Sequence, residues 1–148
     1  MPSFQQTKTL PYKPQELFNL VWDIESYPQF LPWCVAARII SENNNQLIAE
    51  LVIQLKGFSE SYRSQVTGEY INEIYSVNTI AISGPFKYLE SNWKFTPSLT
   101  GTELSFSIDF KMKSVILDKL IGNYFIQATE KMITAFENRA KEMIIKNN

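Results

Sequence analysis

The sequence predicts an α+β fold in which a curved antiparallel sheet of about six or seven strands wraps a long C-terminal helix, with one or two short helices after the first strand. Three observations carry that prediction. From Val115 to Ile145 the apolar residues Leu117, Leu120, Ile121, Tyr124, Phe125, Ala128, Met132, Phe136, Ala140 and Met143 step by three and four, the spacing of an amphipathic helix. Gln46–Lys56 and Thr102–Met112 alternate residue by residue instead, as half-buried strands do. Short turn signals join the strand-like runs, which makes antiparallel neighbours the simplest arrangement. The broad apolar face of the helix needs a partner surface, and the inner face of the sheet supplies one.

Each element has its own signal. Phe4–Thr9 is polar and weakly alternating, as an edge strand is. Pro14 suits the first position of a short helix, Pro14–Asp23, with Leu17, Phe18, Val21 and Trp22 at helical spacing. Ile24–Cys34 follows, where Pro28 and Pro32 forbid a regular helix although the stretch is rich in apolar residues. Ala36–Glu42 leads through Asn43–Asn45, a turn of residues that tolerate positive φ, into Gln46–Lys56 with Leu47, Ala49, Leu51, Ile53 and Leu55 on one face. Phe58–Tyr70 puts Phe58, Tyr62, Val66 and Tyr70 on one face, and Glu60 and Ser64 share it. Glu73–Ser83 ends at Gly84-Pro85. Phe86–Phe95 carries Leu89, Trp93 and Phe95 inward, and Pro97–Gly101 reads as a hairpin turn. Thr102–Met112 turns Leu104, Phe106, Ile108, Phe110 and Met112 to the core. Ser114 is placed to cap the long helix, and Lys141 and Lys146 sit where its dipole favours cations.

At 148 residues the chain is expected to form one domain, 1–148. Its 45% hydrophobic and 14% aromatic content excludes a disordered chain and suits a bulky core or a wide apolar cavity. A net charge of −1 argues against general binding to nucleic acid or to an anionic membrane. The single cysteine, Cys34, fits a reducing compartment. MPSFQQTKTL has neither a basic nor an apolar leader region, and no run reaches the roughly 18–20 apolar residues of a membrane span. A cytoplasmic protein is expected, peripheral to the inner face of a membrane at most.

Histidine is absent, which removes Ser-His and Cys-His nucleophiles and the commonest metal ligand. The five glycines match no phosphate loop. Acid–base work would have to rest on carboxylates, tyrosines or lysines; no metal site is expected and no cofactor is required. Glu60 points inward beside Tyr62 by parity, either as a strand-end carboxylate in solvent or as a group orienting a polar ligand head. The loop Glu25–Cys34 reads as a hydrophobic plug or as a gate presenting Phe30, Leu31 and Trp33 to a ligand or bilayer. Gly122, inside the helix pattern, reads as a close-packing site or as space for a ligand beneath the helix. The aromatic cluster of Phe86, Trp93, Phe106, Phe110, Tyr124 and Phe125 suits a core or a pocket wall.

Tyr27-Pro-Gln-Phe-Leu-Pro-Trp-Cys34, with Gly84-Pro-Phe-Lys-Tyr-Leu89 and Trp93-x-Phe95, resembles the coenzyme Q-binding START-domain family of the polyketide-cyclase/lipid-transfer superfamily. The resemblance runs from about Phe4 to the end of the last helix. It implies a helix-grip fold with a hydrophobic tunnel, walled here by Phe30, Leu31, Trp33, Leu51, Ile53, Glu60, Tyr62, Phe86, Tyr88, Leu89, Trp93, Phe106, Phe110, Leu117, Ile121, Tyr124 and Phe125. It further implies non-enzymatic binding of ubiquinone or a related polyprenyl lipid as ligand, in support of quinone biosynthesis, delivery and respiration, with transient membrane contact. Tyr62, Tyr88 and Tyr124 are the candidate donors to the quinone head. A bacterial branch of the family is a ribosome-associated toxin that interferes with subunit joining. The ribosome is accordingly the alternative partner, with Lys111, Lys113 and Lys119 as the basic cluster it would need. A polyketide cyclase or aromatase comes last, for want of an acid–base pair. The N-terminal half of the long helix, Leu117–Ala128, is expected to wall the tunnel, and the half from Met132 to Met143 to pack on the sheet.

Overall fold

The computed structural model describes residues 3–55, 57–122 and 124–146, without the side chains at 55, 58, 145 and 146. The inward placement expected of Leu55 and Phe58, and the cation expected at Lys146, fall outside the described side chains. Seven strands form one antiparallel sheet: β1 (Ser3–Leu10), β2 (Cys34–Asn43), β3 (Gln46–Leu55), β4 (Phe58–Ile71), β5 (Ile74–Ser83), β6 (Phe86–Ser98) and β7 (Gly101–Met112). Their spatial order is β1-β7-β6-β5-β4-β3-β2, so hairpins build everything except the long connection from β1 to β2. That connection holds α1 (Pro14–Trp22) and a short 3₁₀ helix, Ile24–Gln29. Both edge strands are poor templates for further pairing. β1 is mostly polar, and β2 is interrupted by two register shifts.

Sequence chemistry explains the starts and stops. Pro14 opens α1, and the Lys13 backbone N–H donates to Glu16 Oε1 at 3.0 Å, closing the first turn. Asn44 takes the left-handed conformation in the β2–β3 turn, as the asparagine run predicts. Pro28 is accommodated inside the 3₁₀ helix, and no α-helix crosses the segment. β6 runs further than expected, with Pro97 still in register opposite Thr102, so the β6–β7 turn is shorter than Pro97–Gly101.

The long C-terminal helix is two helices, α2 (Val115–Gly122) and α3 (Phe125–Lys146). Ser114 caps α2 as expected, its Oγ accepting from Leu117 N–H at 3.2 Å. The break follows Gly122, the residue with the weakest helix propensity in the run. Gly122 is exposed, and a Cβ added there would meet nothing within 4 Å. Neither expectation for it holds: it packs against no strand or ring and makes room beneath no helix. On α3, Phe125, Thr129, Ile133, Phe136, Ala140 and Ile144 are buried, a stripe at steps of three and four facing the sheet.

Buried residues fall into two clusters. The larger gathers Leu17 and Val21 of α1, Leu47, Val66, Val77, Trp93, Phe95, Leu104 and Phe106 of the sheet, and Ile133, Phe136, Ala140 and Ile144 of α3. The smaller gathers Ile53, Leu89, Phe110 and Met112 with Ile121 and Phe125. Among the described residues, no helix is long and apolar enough to cross a membrane.

Candidate functional site

Where the two clusters fail to close on each other, a cavity of about 190 Å³ remains between sheet and helices. Leu51, Val66, Val77, Trp93, Phe106 and Phe136 line it from the larger cluster, and Ile53, Leu89, Phe110, Ile121 and Phe125 from the smaller. The strands alternate, so one face of β3 to β7 is handed to this space. The two helices roof it, through Ile121, Tyr124, Phe125, Ala128, Thr129, Met132 and Phe136. Ring contacts stiffen the walls. Phe110 meets Phe125 at 4.7 Å and Phe86 at 5.9 Å, and Trp93 meets Phe106 at 4.5 Å and Phe136 at 5.1 Å between centroids.

Among the described residues, no charged side chain lines the cavity. Its polar side-chain groups belong to Tyr27, Cys34, Tyr62, Ser64, Thr79, Ser91, Tyr124 and Thr129, with the indole N–H groups of Trp33 and Trp93. Several of these are committed within the fold. The Tyr27 hydroxyl donates to the Val21 carbonyl, and Thr129 Oγ1 donates to the Phe125 carbonyl at 2.9 Å. Burial pushes the phenols of Tyr27 and Tyr62 well above their ordinary range and the Cys34 thiol up to about 11. All three groups stay neutral at physiological pH. Among the described residues, no group of three or more His, Cys, Asp or Glu is placed to hold a metal. The arrangement suits binding of an uncharged, largely apolar molecule.

The structure brings together Leu31, Trp33, Leu51, Ile53, Tyr62, Phe86, Leu89, Trp93, Phe106, Phe110, Ile121, Tyr124 and Phe125 of the expected wall. It leaves out four others. Glu60 has inward parity opposite Ile53, but it lies near the start of β4, where its side chain stays exposed. Tyr88 follows a register shift in β6, is paired opposite Lys111, and its hydroxyl approaches Asp109 Oδ1 at 3.5 Å, away from the cavity. Phe30 packs outside, against Tyr27 and Phe136 at 6.0 and 5.1 Å, with the Arg139 guanidinium 5.2 Å from its ring. Leu117 packs behind the smaller cluster without reaching the space.

The Glu25–Cys34 loop closes one side of the cavity, with Leu31 and Trp33 in the lining and Phe30 outside it. Arg139 also donates to Gln29 Oε1 at 2.8 Å, and Glu25 accepts from Ile39 N–H at 3.1 Å, tying the loop to α3 and β2. Ala128 lines the space as expected, whereas the sequence reading missed Val21, Ile24, Tyr27, Cys34, Val66, Val77, Ile108, Met132 and Phe136, and the hydroxyl-bearing Ser64, Thr79, Ser91 and Thr129. Parity had flagged Ser64. No sequence signal distinguished Thr79 or Ser91 from ordinary strand residues.

The model of the family described as polyketide cyclase / dehydrase and lipid transport matches residues 10–137. Ribosome association toxin RatA of Rickettsia prowazekii is 70% identical, over 97% of this chain and 99% of that protein. Coenzyme Q-binding protein COQ10 homolog B, mitochondrial, of Xenopus laevis is 27% identical, over 93% of this chain and 57% of that protein. An 18 kDa protein of Caulobacter crescentus has a solved structure that superposes with a TM-score of 0.78 at 31% identity, covering 97% of this chain and 98% of that one. The Zhui aromatase/cyclase of Streptomyces sp. R1128 superposes with a TM-score of 0.81 at 12% identity, covering 97% and 95% of the two chains, a likeness of fold alone. With a START-like sheet-and-helix architecture and a family match that spans most of its length, the chain belongs to the polyketide cyclase / dehydrase and lipid transport family.

Proposed function

We propose that this chain is a ribosome-associating regulator that acts in the cytoplasm as one domain, by hindering the joining of ribosomal subunits, and that it is a binding protein and not an enzyme. The observation that carries the reading is the 70% identity, over nearly the whole of both chains, to a ribosome association toxin. The coenzyme Q-binding relative is far more distant and matches over little more than half its own length. A protein of net charge −1 needs a local basic surface to meet ribosomal RNA. Lys113 and Lys119 are exposed around the start of α2, next to Val115 and Ile116, which are 71% and 79% exposed. This surface is the proposed contact.

The test is sedimentation of the purified chain with isolated large and small subunits at low and moderate salt. Co-sedimentation with the large subunit is expected, weakened by salt and by the double substitution Lys113→Glu, Lys119→Glu. Protein remaining at the top of the gradient at low salt refutes the reading.

A second reading concerns the cavity, which serves as a site for a hydrophobic small molecule such as a polyprenyl quinone. Its uncharged aromatic wall supports this, as does the coenzyme Q-binding relative. Mass spectrometry of small molecules extracted from protein purified under mild conditions is expected to show a stoichiometric neutral lipid. Repeated lipid-free preparations that take up no added lipid count against it.

A further inference from the structure

Three side chains, Ser64, Thr79 and Ser91, set a row of hydroxyls across the middle of the cavity wall. They come from three consecutive strands and all line the space. Thr79 is directly opposite Ser91 in the β5–β6 register. Ser64 is two register pairs along from Thr79, on the same face, since Ser64 faces Ala81 and Val66 faces Thr79. Facing side chains in an antiparallel pair lie about 5 Å apart, and diagonal ones about 7–8 Å. The row is flanked by apolar groups on both sides: Val66, Val77, Trp93 and Phe106 toward one end, Ala81, Leu89 and Phe110 toward the other.

Ser64 is the decisive member. Three polar side chains of the described residues are buried: Thr102, Thr129 and Ser64. Thr102 Oγ1 donates to the Tyr12 carbonyl at 2.6 Å, and Thr129 Oγ1 donates to the Phe125 carbonyl. Ser64 is 1% exposed and makes no side-chain hydrogen bond to any described residue, and neither do Thr79 and Ser91. The Ser64 hydroxyl is open to the cavity, so a partner for it has to come from inside that space. An alanine at 64, or a valine at the half-buried position 79, would wall an apolar cavity without a hydroxyl to satisfy.

We infer that the row is a recognition site for an oxygen-bearing group near the middle of an otherwise apolar, uncharged ligand. A carbonyl or hydroxyl placed there satisfies the hydroxyls, while the body on either side meets the aromatic walls. A carboxylate or ammonium is disfavoured, because no counter-charge lines the cavity among the described residues. This rests on the reading of the cavity as a small-molecule site and names the class of molecule it takes. It is independent of the ribosome.

The experiment measures displacement of the neutral fluorophore N-phenyl-1-naphthylamine from the full chain by three probes of one length: n-nonane, 5-nonanone and nonanoate. Each is run on the wild type and on the triple variant Ser64→Ala, Thr79→Val, Ser91→Ala, whose ligand-free melting temperature is expected to be no lower than that of the wild type. The variant is expected to weaken 5-nonanone by roughly tenfold while leaving n-nonane within about twofold. In the wild type, nonanoate is expected to bind less tightly than 5-nonanone. Equal weakening of ketone and alkane, an unchanged ketone affinity, or tightest binding by nonanoate overturns the inference but spares the cavity reading. Failure of the folded wild type to bind the fluorophore or any probe overturns both. A variant that does not fold is replaced by Ser64→Ala alone, judged by the same contrast between ketone and alkane.

Discussion

Substituting Gly122 with alanine removes the cost of a helical glycine at an exposed position with open space around it. Gly122→Ala is expected to raise stability by about 0.5–1 kcal/mol, read from chemical denaturation. Gly68 behaves oppositely. Its absent Cβ would lie 2.9 Å from Trp22 Cζ3 and 3.0 Å from Phe18 Cζ, the ring pair with which α1 caps the sheet. Gly68→Ala is expected to cost about 1–3 kcal/mol in the same measurement. Neither outcome could be read from sequence, since both residues appear there only as glycines within regular patterns. The titrating groups add a pH dependence. The Cys34 thiol rises from 9.0 to about 11 in the fold because it is buried, so the folded chain keeps a proton that the unfolded chain releases. Stability from this source is complete below about pH 9 and is lost as pH climbs from 9 toward 11. The Tyr27 and Tyr62 phenols, also raised by burial, continue the loss at higher pH. Denaturation curves across that range should show the decline, with a shallower slope in Cys34→Ala.

At the scale of the element, the strands were legible because alternation and turn chemistry acted together. Leu104, Phe106, Phe110 and Met112 of β7 are all buried, as their spacing requires. The C-terminal helix was legible in its apolar face but not in its continuity, because a period of three and four survives from α2 into α3. α2 is a short helix held by the Ser114 cap at one end and by Asp118 Oδ1, which accepts from Met112 N–H at 3.0 Å. Ser114→Ala is expected to cost about 1 kcal/mol. The division expected along the helix also moves. Met132 and Phe136 reach the cavity, so the wall extends one to two turns further than Ala128. Phe136 nevertheless touches Tyr27, Phe30 and Trp93, whereas Phe125 touches Phe110 and the edge ring Phe4. Phe136→Ala is expected to lose about 3–5 kcal/mol of stability. Phe125→Ala is expected to fall mainly on fluorophore binding in the cavity.

For the whole molecule, the fold and the cavity have one cause: helices lie on a sheet whose inner residues pack as two clusters instead of one. The sequence specifies the inward faces, so most of the wall followed from parity. It does not specify where packing stops, which depends on how the helices seat. The exclusions of Glu60, Tyr88, Phe30 and Leu117 are of that kind. Each has a pattern that admits an inward position and a location at a rim, a register shift or a second layer that denies it. The ribosome reading joins this architecture to the exposed lysine and aliphatic surface around the start of α2, the helix whose Ile121 lines the cavity. The most direct test is the formation of whole ribosomes from purified large and small subunits, followed by light scattering with increasing amounts of the chain. The account predicts that ribosome formation falls with added protein and recovers when the Lys113→Glu, Lys119→Glu variant is used instead. Subunit joining at an unchanged rate and extent, in the presence of folded protein in excess over large subunits, contradicts it.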